Sequence, residues 1–146
     1  MTKNKLDNFS ITYRKEIVWL RWYFLRDKKR PGMTMLESKI NDCIAYKDYR
    51  TYRKFNTIKI IINEMIDKTD NNMMRALKEI YVYRNLSVIG AAQSILFLSQ
   101  TQAYVHIRGW FEEFENCLFD KVDDFFLKIL ELRKQLLMII KRRKTK

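Results

Sequence analysis

Glycine and proline are scarce in this sequence of 146 residues, which contains three Gly and one Pro. Because these two residue types make most tight turns, their scarcity predicts few turns and long helices. Strand patterns are scarce as well, since the one candidate, residues 58–63, lies inside a longer pattern with the period of a helix. We therefore expect an all-α fold. The length is typical of one compact domain, so we expect a single helical domain over residues 1–146.

Cysteine and histidine are also rare, because the chain contains only Cys43, Cys117 and His106. The two cysteines are far apart, and His106 has no Cys, Asp or Glu at ligand spacing, so neither a disulfide framework nor a zinc site is indicated. We expect both thiols to be inert core residues. Since no Ser or Cys pairs with His106 as nucleophile and base, the sequence predicts neither an enzyme nor a cofactor.

Long apolar runs are missing from the sequence. No run approaches the roughly eighteen residues that a membrane span needs. The polar segment 1–8 has no signal-peptide pattern. We therefore expect a cytosolic protein without a membrane partner.

A net charge of +12 at pH 7 favours nucleic acid or another anionic surface as the partner. Residues 1–60 contain fifteen Lys and Arg and six acids, which gives a charge of +9. Residues 133–146 contain seven Lys and Arg and no acid, which gives a charge of +7. Seven acids against two lysines give residues 112–132 a charge of −5. We interpret this acidic segment as a solvated helix face; the alternative is a docking surface for a basic patch on RNA polymerase.

Helical periodicity and capping signals organise the first half of the chain. Residues Pro31 and Gly32 form the clearest break, and Thr34 with Glu37 has the spacing of a capping box immediately after it. The basic part, 1–68, is predicted to be helical. We predict four helices, at about 12–26, 34–46, 49–66 and from Asp70 or Asn71 onward.

Residues 86–114 have the pattern of a helix-turn-helix, in which a short turn joins two packed helices. Ser87 is predicted to cap the first helix, whose packing side is formed by Ala91, Ala92, Ile95 and Leu96. Leu98 is expected to fill the space between the helices. Ser99 and Gln102 have the spacing of a second capping box, so the second helix is expected to begin at Gln100. The helix-turn-helix region is predicted over residues 70–116.

The second helix of this pattern has an apolar inner side and a polar outer side, at 100° per residue. The inner side is predicted to contain Ala103, Ile107, Trp110, Phe111 and Phe114. On the outer side, Gln pairs with adenine, Arg with guanine, and Thr or Val contacts a thymine methyl group. Tyr104 and His106 flank this side and are predicted to reach phosphates. The predicted DNA-binding residues are Gln100, Thr101, Gln102, Tyr104, Val105, His106 and Arg108.

Several of these residues have a simpler interpretation. Gln102 is also explained by capping alone, and Arg108 by a solvated surface charge. The aromatic series Tyr46, Tyr49, Tyr52 and Phe55 has Lys and Arg between its members, a pattern that suits stacking on single-stranded bases. For this series we favour the edge of the helix core over a stacking surface.

The C-terminal segment 117–142 is amphipathic, with apolar residues alternating at spacings of four and three. This heptad seam consists of Leu118, Val122, Phe125, Ile129, Leu132, Leu136 and Ile139. Such a seam closes a homodimer. The alternative is packing on its own domain, because Phe126, Leu130 and Leu137 make the apolar face wider than a strict seam. A basic tail, 141–146, follows.

The residues of the motif resemble a known family. The run 81–87 (YVYRNLS), followed by Ala91, Ala92, Leu96, Leu98, Ser99 and residues 104–107, resembles the sigma region 4-type helix-turn-helix of small phage late-gene activators. These are the ArpU- and RinA-like regulators of phages of low-GC Gram-positive bacteria. The resemblance covers about forty residues. It implies binding to promoter DNA and recruitment of RNA polymerase in the cytoplasm of a bacterial host.

The sequence therefore predicts a DNA-binding transcription regulator, with double-stranded DNA and RNA polymerase as partners. The alternative is a helical adaptor or inhibitor that binds a protein, such as polymerase, or blocks a nucleic-acid site without sequence-specific DNA binding. An RNA-binding module is a third hypothesis, which the basic segment rich in tyrosine favours.

Overall fold

A computed structural model describes residues 8–144, with side chains described for residues 8–121 and 130–143. The fold is all-α, as the sequence predicted. The described helical segments are a short one at 8–12 (α1), then α2 (Arg14–Phe24), α3 (Met35–Ala45), α4 (Tyr49–Lys68), α5 (Asn71–Leu77), α6 (Val88–Ala91) and α7 (Gln100–Lys144). Helices α5 and α6 each continue as a single π-helical turn, Lys78–Val82 and Ala92–Leu96.

The chain divides into two compact units, Met1–Phe114 and Glu115–Lys146. The single helical domain expected over residues 1–146, with its C-terminal helix from residue 117, stays a prediction. The first unit contains α1 to α6 and residues 100–114 of α7. The second unit consists of the remainder of α7 and the residues that follow it.

Side-chain caps fix the starts of several helices where the sequence predicted them. Thr34 Oγ1 accepts a hydrogen bond from the backbone N–H of Glu37 at 3.2 Å. An Asp70 carboxylate oxygen accepts from Met73 N at 3.4 Å, which makes Asp70 the cap of α5. Each cap satisfies a backbone donor that the first turn of a helix leaves without an intrahelical acceptor.

Several helix ends use a left-handed residue, which is usually glycine. Here the residues with positive φ are Lys47 (57°), Arg84 (57°) and Phe97 (53°), whereas none of the glycines has a positive φ. At the end of α3, Asp48 N donates to Cys43 O at 2.9 Å and Lys47 N donates to Ile44 O at 3.1 Å. The scarcity of glycine therefore does not prevent tight turns at the ends of helices. The chain makes these turns with Lys, Arg and Phe, which tolerate the left-handed conformation less well than glycine.

The core of the first unit is aromatic and centres on Phe111, which is fully buried. Its ring stacks on Tyr13 at 4.6 Å between centroids and meets the edge of Tyr81 at 5.4 Å. Trp110 lies 5.3 Å from the same ring. Buried aliphatic side chains of the other helices complete this core, among them Leu20, Leu36, Ile61, Ile62, Met65 and Leu77.

Both cysteines are free and buried, as the sequence predicted for its two thiols. Burial raises the pKa of the Cys43 thiol, which makes its reactive thiolate form less accessible. Within residues 8–121 and 130–143, the His, Cys, Asp and Glu side chains form no group of three or more suited to a metal ion.

None of the described helices is both long enough and apolar enough to cross a membrane.

The strained turn at Phe97 yields a stability prediction. The ring is 80% exposed, so replacing it removes little packing. The left-handed conformation costs a non-glycine residue about 1–2 kcal/mol, and glycine loses about 0.5–1 kcal/mol more backbone entropy on folding. Phe97→Gly should therefore raise the free energy of unfolding by about 0.5–1 kcal/mol.

Equilibrium urea unfolding followed by tryptophan fluorescence measures this change, because Trp19, Trp22 and Trp110 all lie in the first unit. Phe97→Ala is the matched control, since it removes the ring but keeps the strain, and it should leave stability nearly unchanged. A less stable glycine variant would show that the Phe97 ring makes a stabilising contact.

Candidate nucleic-acid interface

A reciprocal capping box defines the start of α7. Ser99 Oγ accepts from Gln102 N at 3.2 Å, and the side-chain oxygen of Gln102 accepts from Ser99 N at 3.3 Å. This is the arrangement that the Ser99 and Gln102 spacing predicted. It fixes the direction in which the first turn of α7 leaves the preceding segment.

The first fifteen residues of α7 separate cleanly into a buried side and an exposed side. The buried side contains Ala103, Ile107, Trp110, Phe111 and Phe114. The exposed residues include Gln100, Thr101, Gln102, Val105, Arg108 and Gly109. Packing on the aromatic core therefore holds the helix, while the outer side presents amide, hydroxyl, guanidinium and methyl groups to solvent.

The segment before α7 is short and well defined. Ser87 caps α6 by accepting from Gly90 N at 3.0 Å, and Ala91, Ala92 and Ile95 are buried. The π-helical turn ends at Leu96, and Leu98 N donates to Ala92 O at 3.1 Å. The connection between the two helices is thus residues 97–99.

The side-chain oxygen of Gln102 is used in the capping box and would also be used in pairing with adenine. Bidentate pairing with adenine uses the side-chain oxygen of Gln as acceptor and its NH₂ group as donor. In this structure the oxygen already accepts from Ser99 N, while no protein bond to the NH₂ group is seen in the described part of the chain. Because an amide oxygen has two lone pairs, one remains for adenine, and the box restricts only the direction in which the Gln102 amide points.

Arg108 lies on the exposed side and has an aromatic neighbour. Its guanidinium carbon is 5.7 Å from the centre of the Phe9 ring, a weak cation–π arrangement. Phe9 belongs to α1, so this contact brings the amino-terminal segment to the same surface. Arg14 and Lys15 follow within two helical turns of Phe9 and are exposed.

Tyr104 has an aromatic neighbour and a buried hydroxyl. Its ring lies 5.5 Å from the Phe9 ring, and its hydroxyl is buried without a hydrogen-bond partner among the described residues, as is the hydroxyl of Tyr81. Burial, together with the nearby Tyr104 hydroxyl, raises the pKa of Tyr81. The buried hydroxyl does not favour the phosphate contact expected of Tyr104, which stays a prediction.

His106 is exposed and lines an open cavity of about 470 Å³ in the first unit. Apolar residues of this cavity include Met65, Met73 and Leu98, and Trp110 forms part of its wall while its indole N–H donates to Thr69 Oγ1 at 2.8 Å. An ion pair between Lys68 and Glu113, at 3.8 Å, also belongs to the lining. His106 thus stands at the border between the cavity and the outer side of α7.

The predicted dimer seam lies in the second unit and is only partly described. Leu118 is half-buried, whereas Leu132, Leu136 and Ile139 are each more than half exposed. The side chains of Val122, Phe125 and Ile129 lie outside the described residues. The described part of the seam beyond residue 130 is thus an uncovered apolar face.

In the aromatic series at the junction of α3 and α4, only two of the four residues lie at the edge of the core, where the sequence analysis favoured all four. Tyr52 and Phe55 are half-buried, and Phe55 meets Trp22 edge to face at 5.9 Å, as expected at the edge of a core. Tyr46 and Tyr49 are instead 84% and 60% exposed. These two residues flank a helix end, where the periodicity that assigns core positions no longer applies, so sequence reasoning missed their exposure.

Comparisons with known proteins give no relative for this chain: no protein-family model, no curated protein and no solved structure matches it.

The capping box yields a stability prediction. Ser99→Ala removes the acceptor for Gln102 N and should lower the free energy of unfolding by about 1 kcal/mol. Ser99→Asp keeps an acceptor at the same place and should retain most of the stability. Urea unfolding followed by tryptophan fluorescence measures both variants. Equal loss of stability in the two variants would mean that the box does not stabilise the start of α7.

Proposed function

We propose that this protein is a DNA-binding transcription regulator, in which α6 with its π-helical turn, the connection 97–99 and the start of α7 form a helix-turn-helix. The observation that carries the proposal is the exposed outer side of α7 at Gln100, Thr101, Gln102, Val105 and Arg108, directly after the capped helix start. Recognition helices of this class place their amino-terminal residues against base edges in the major groove.

The chemistry of this side suits base recognition. Arg108 has the donors for guanine O6 and N7, and the methyl groups of Thr101 and Val105 suit the thymine methyl group. Gln102 has the acceptor and the donor that pairing with adenine needs. The helix start also presents backbone N–H groups and the positive end of the helix dipole, which attract a phosphate.

Electrostatics support a nucleic-acid partner for the same region. Arg14 and Lys15 follow five and six residues after Phe9, which contacts Arg108, and both are exposed cations. The whole chain carries a net charge of +12. Such a protein gains affinity by releasing counterions from DNA, so its binding should weaken steeply with salt.

The proposal includes a homodimer and a regulatory setting. The exposed Leu132, Leu136 and Ile139 supply an apolar face for a second copy, and two copies would engage two DNA half-sites. The resemblance of residues 81–107 to phage late-gene activators supports a role at a late promoter, with RNA polymerase as the second partner. A cytoplasmic location in a bacterial host belongs to the same proposal.

A DNA-binding experiment tests the reading helix. Selection from a random 20-base-pair duplex library supplies the probe, and gel shift or fluorescence anisotropy measures its affinity. Arg108→Ala should weaken binding by about five- to a hundredfold, because a bidentate arginine–guanine pair contributes about 1–3 kcal/mol. Gln102→Glu keeps an acceptor for the capping box but loses the NH₂ donor, so it should lose affinity without losing stability.

Two matched variants control this experiment. Arg75→Ala removes the same charge from an exposed residue on α5 and should change affinity by less than about threefold. Tyr104→Phe removes only a buried hydroxyl and should leave affinity unchanged. If the Arg108 and Gln102 variants keep full sequence preference, the reading helix is wrongly assigned. If no duplex is selected and a protein partner survives nuclease treatment, the adaptor hypothesis replaces this one.

The dimer is tested separately by analytical ultracentrifugation. The wild-type chain, of 17.9 kDa, should sediment as a dimer, and the double variant Leu132→Asn, Leu136→Asn should sediment as a monomer. Met138→Asn is the control, because Met138 is equally exposed but lies off the heptad seam. A monomeric wild type, or a double variant that remains dimeric, would show that this face does not pair two copies.

A further inference from the structure

The corner between α3 and α4 is rigid for a connection of its length. Tyr46 N donates to Asp42 O at 3.0 Å, and the two bonds that close the end of α3, from Lys47 N and Asp48 N, follow directly. A carboxylate oxygen of Asp48 then accepts from Thr51 N at 3.3 Å and caps α4. The backbone from 42 to 52 is therefore held on both sides of the turn.

This rigid corner carries two exposed aromatic side chains. Tyr46 closes α3 and Tyr49 opens α4, and both rings are more exposed than buried. Ile44, two residues before Tyr46, is exposed as well. Large apolar side chains clustered on a fixed backbone are costly to leave in water, and such clusters mark binding sites.

Positively charged side chains predominate around the two rings. Lys47 lies between the tyrosines, and Arg50, Arg53 and Lys54 continue along α4, all four exposed. Asp48 is the only acid in residues 43–63, and its carboxylate is engaged in capping α4. Positions 49 and 53, and positions 50 and 54, are one helical turn apart, so the cations form a stripe that begins at the rings.

We propose that this corner, which we call the Tyr46–Tyr49 platform, binds single-stranded nucleic acid. Unpaired bases stack on the faces of Tyr46 and Tyr49, and Lys47, Arg50 and Lys54 neutralise the phosphates that connect those bases. A duplex fits this platform poorly, because its bases are already stacked on one another and their faces are not available. Single-stranded DNA and single-stranded RNA share the chemistry that the platform recognises.

The platform is independent of the duplex-reading side of α7. None of its residues belongs to the set that the helix-turn-helix proposal uses, so either proposal stands if the other fails. The half-buried Phe55 packs α4 on α2 through its contact with Trp22, and Tyr52 is half-buried as well. Within the aromatic series, the half-buried Tyr52 and Phe55 are therefore assigned to packing, and the exposed Tyr46 and Tyr49 to binding.

Fluorescence anisotropy with the full chain tests the platform, using labelled twelve-nucleotide oligo(dT) and oligo(rU) as probes. Wild type should bind at least one probe, with an affinity that falls as salt rises. Tyr46→Leu and Tyr49→Leu should each weaken binding by about five- to a hundredfold, because a leucine side chain has no aromatic face for stacking. Tyr46→Phe and Tyr49→Phe should keep most of the affinity. The tighter probe identifies whether DNA or RNA is the preferred strand.

Controls separate this site from general basicity and from the duplex site. Tyr83→Leu removes an exposed tyrosine elsewhere in the unit and should leave single-strand affinity unchanged. The Arg108→Ala and Gln102→Glu variants should lose duplex binding yet bind the single strand normally. Full single-strand affinity in the double variant Tyr46→Leu, Tyr49→Leu would overturn the proposal, as would a wild type that binds neither probe.

Discussion

Burial of the Phe111 side chain connects the parts of the first unit on which the proposed site depends. Tyr13 stacks on this ring from just before α2, Tyr81 meets it from the π-helical turn after α5, and Trp110 lies beside it on α7. A ring of this size in a close-packed interior tolerates few orientations. The start of α7 is therefore held by contacts on its inner side, while most of its outer side faces solvent.

The polar groups at the ends of the helices complete this arrangement. The Ser99 and Gln102 capping box fixes the start of α7, and the left-handed Phe97 brings the chain into that box. A strained residue beside a candidate site is consistent with function, because strain of this kind persists only where the surrounding structure imposes it. The same box also limits Gln102, because the bond from Ser99 N holds its amide in one orientation and occupies one of the two lone pairs of its oxygen.

The sequence predicted features that depend on local spacing. Caps at Thr34, Asp70, Ser87 and Ser99 are contacts between residues three apart, and the inner stripe of α7 follows from helical periodicity. Features that depend on distant parts of the chain were not predictable. Tyr104 turns inward because Phe9 of α1 lies against it, and Tyr46 and Tyr49 face solvent because the chain turns between them. The π-helical turns and the positive φ of Phe97 likewise have no local signal.

A photo-crosslinking measurement tests the central claim most directly. A benzophenone amino acid is placed at the exposed position 105 on the outer side of α7 and, in a separate protein, at the exposed position 75 on α5. With the selected duplex, the account predicts an efficient protein–DNA crosslink from position 105 and little from position 75. Equal yields from the two positions, or a crosslink from position 75 alone, would contradict the assignment of α7 as the DNA-reading helix.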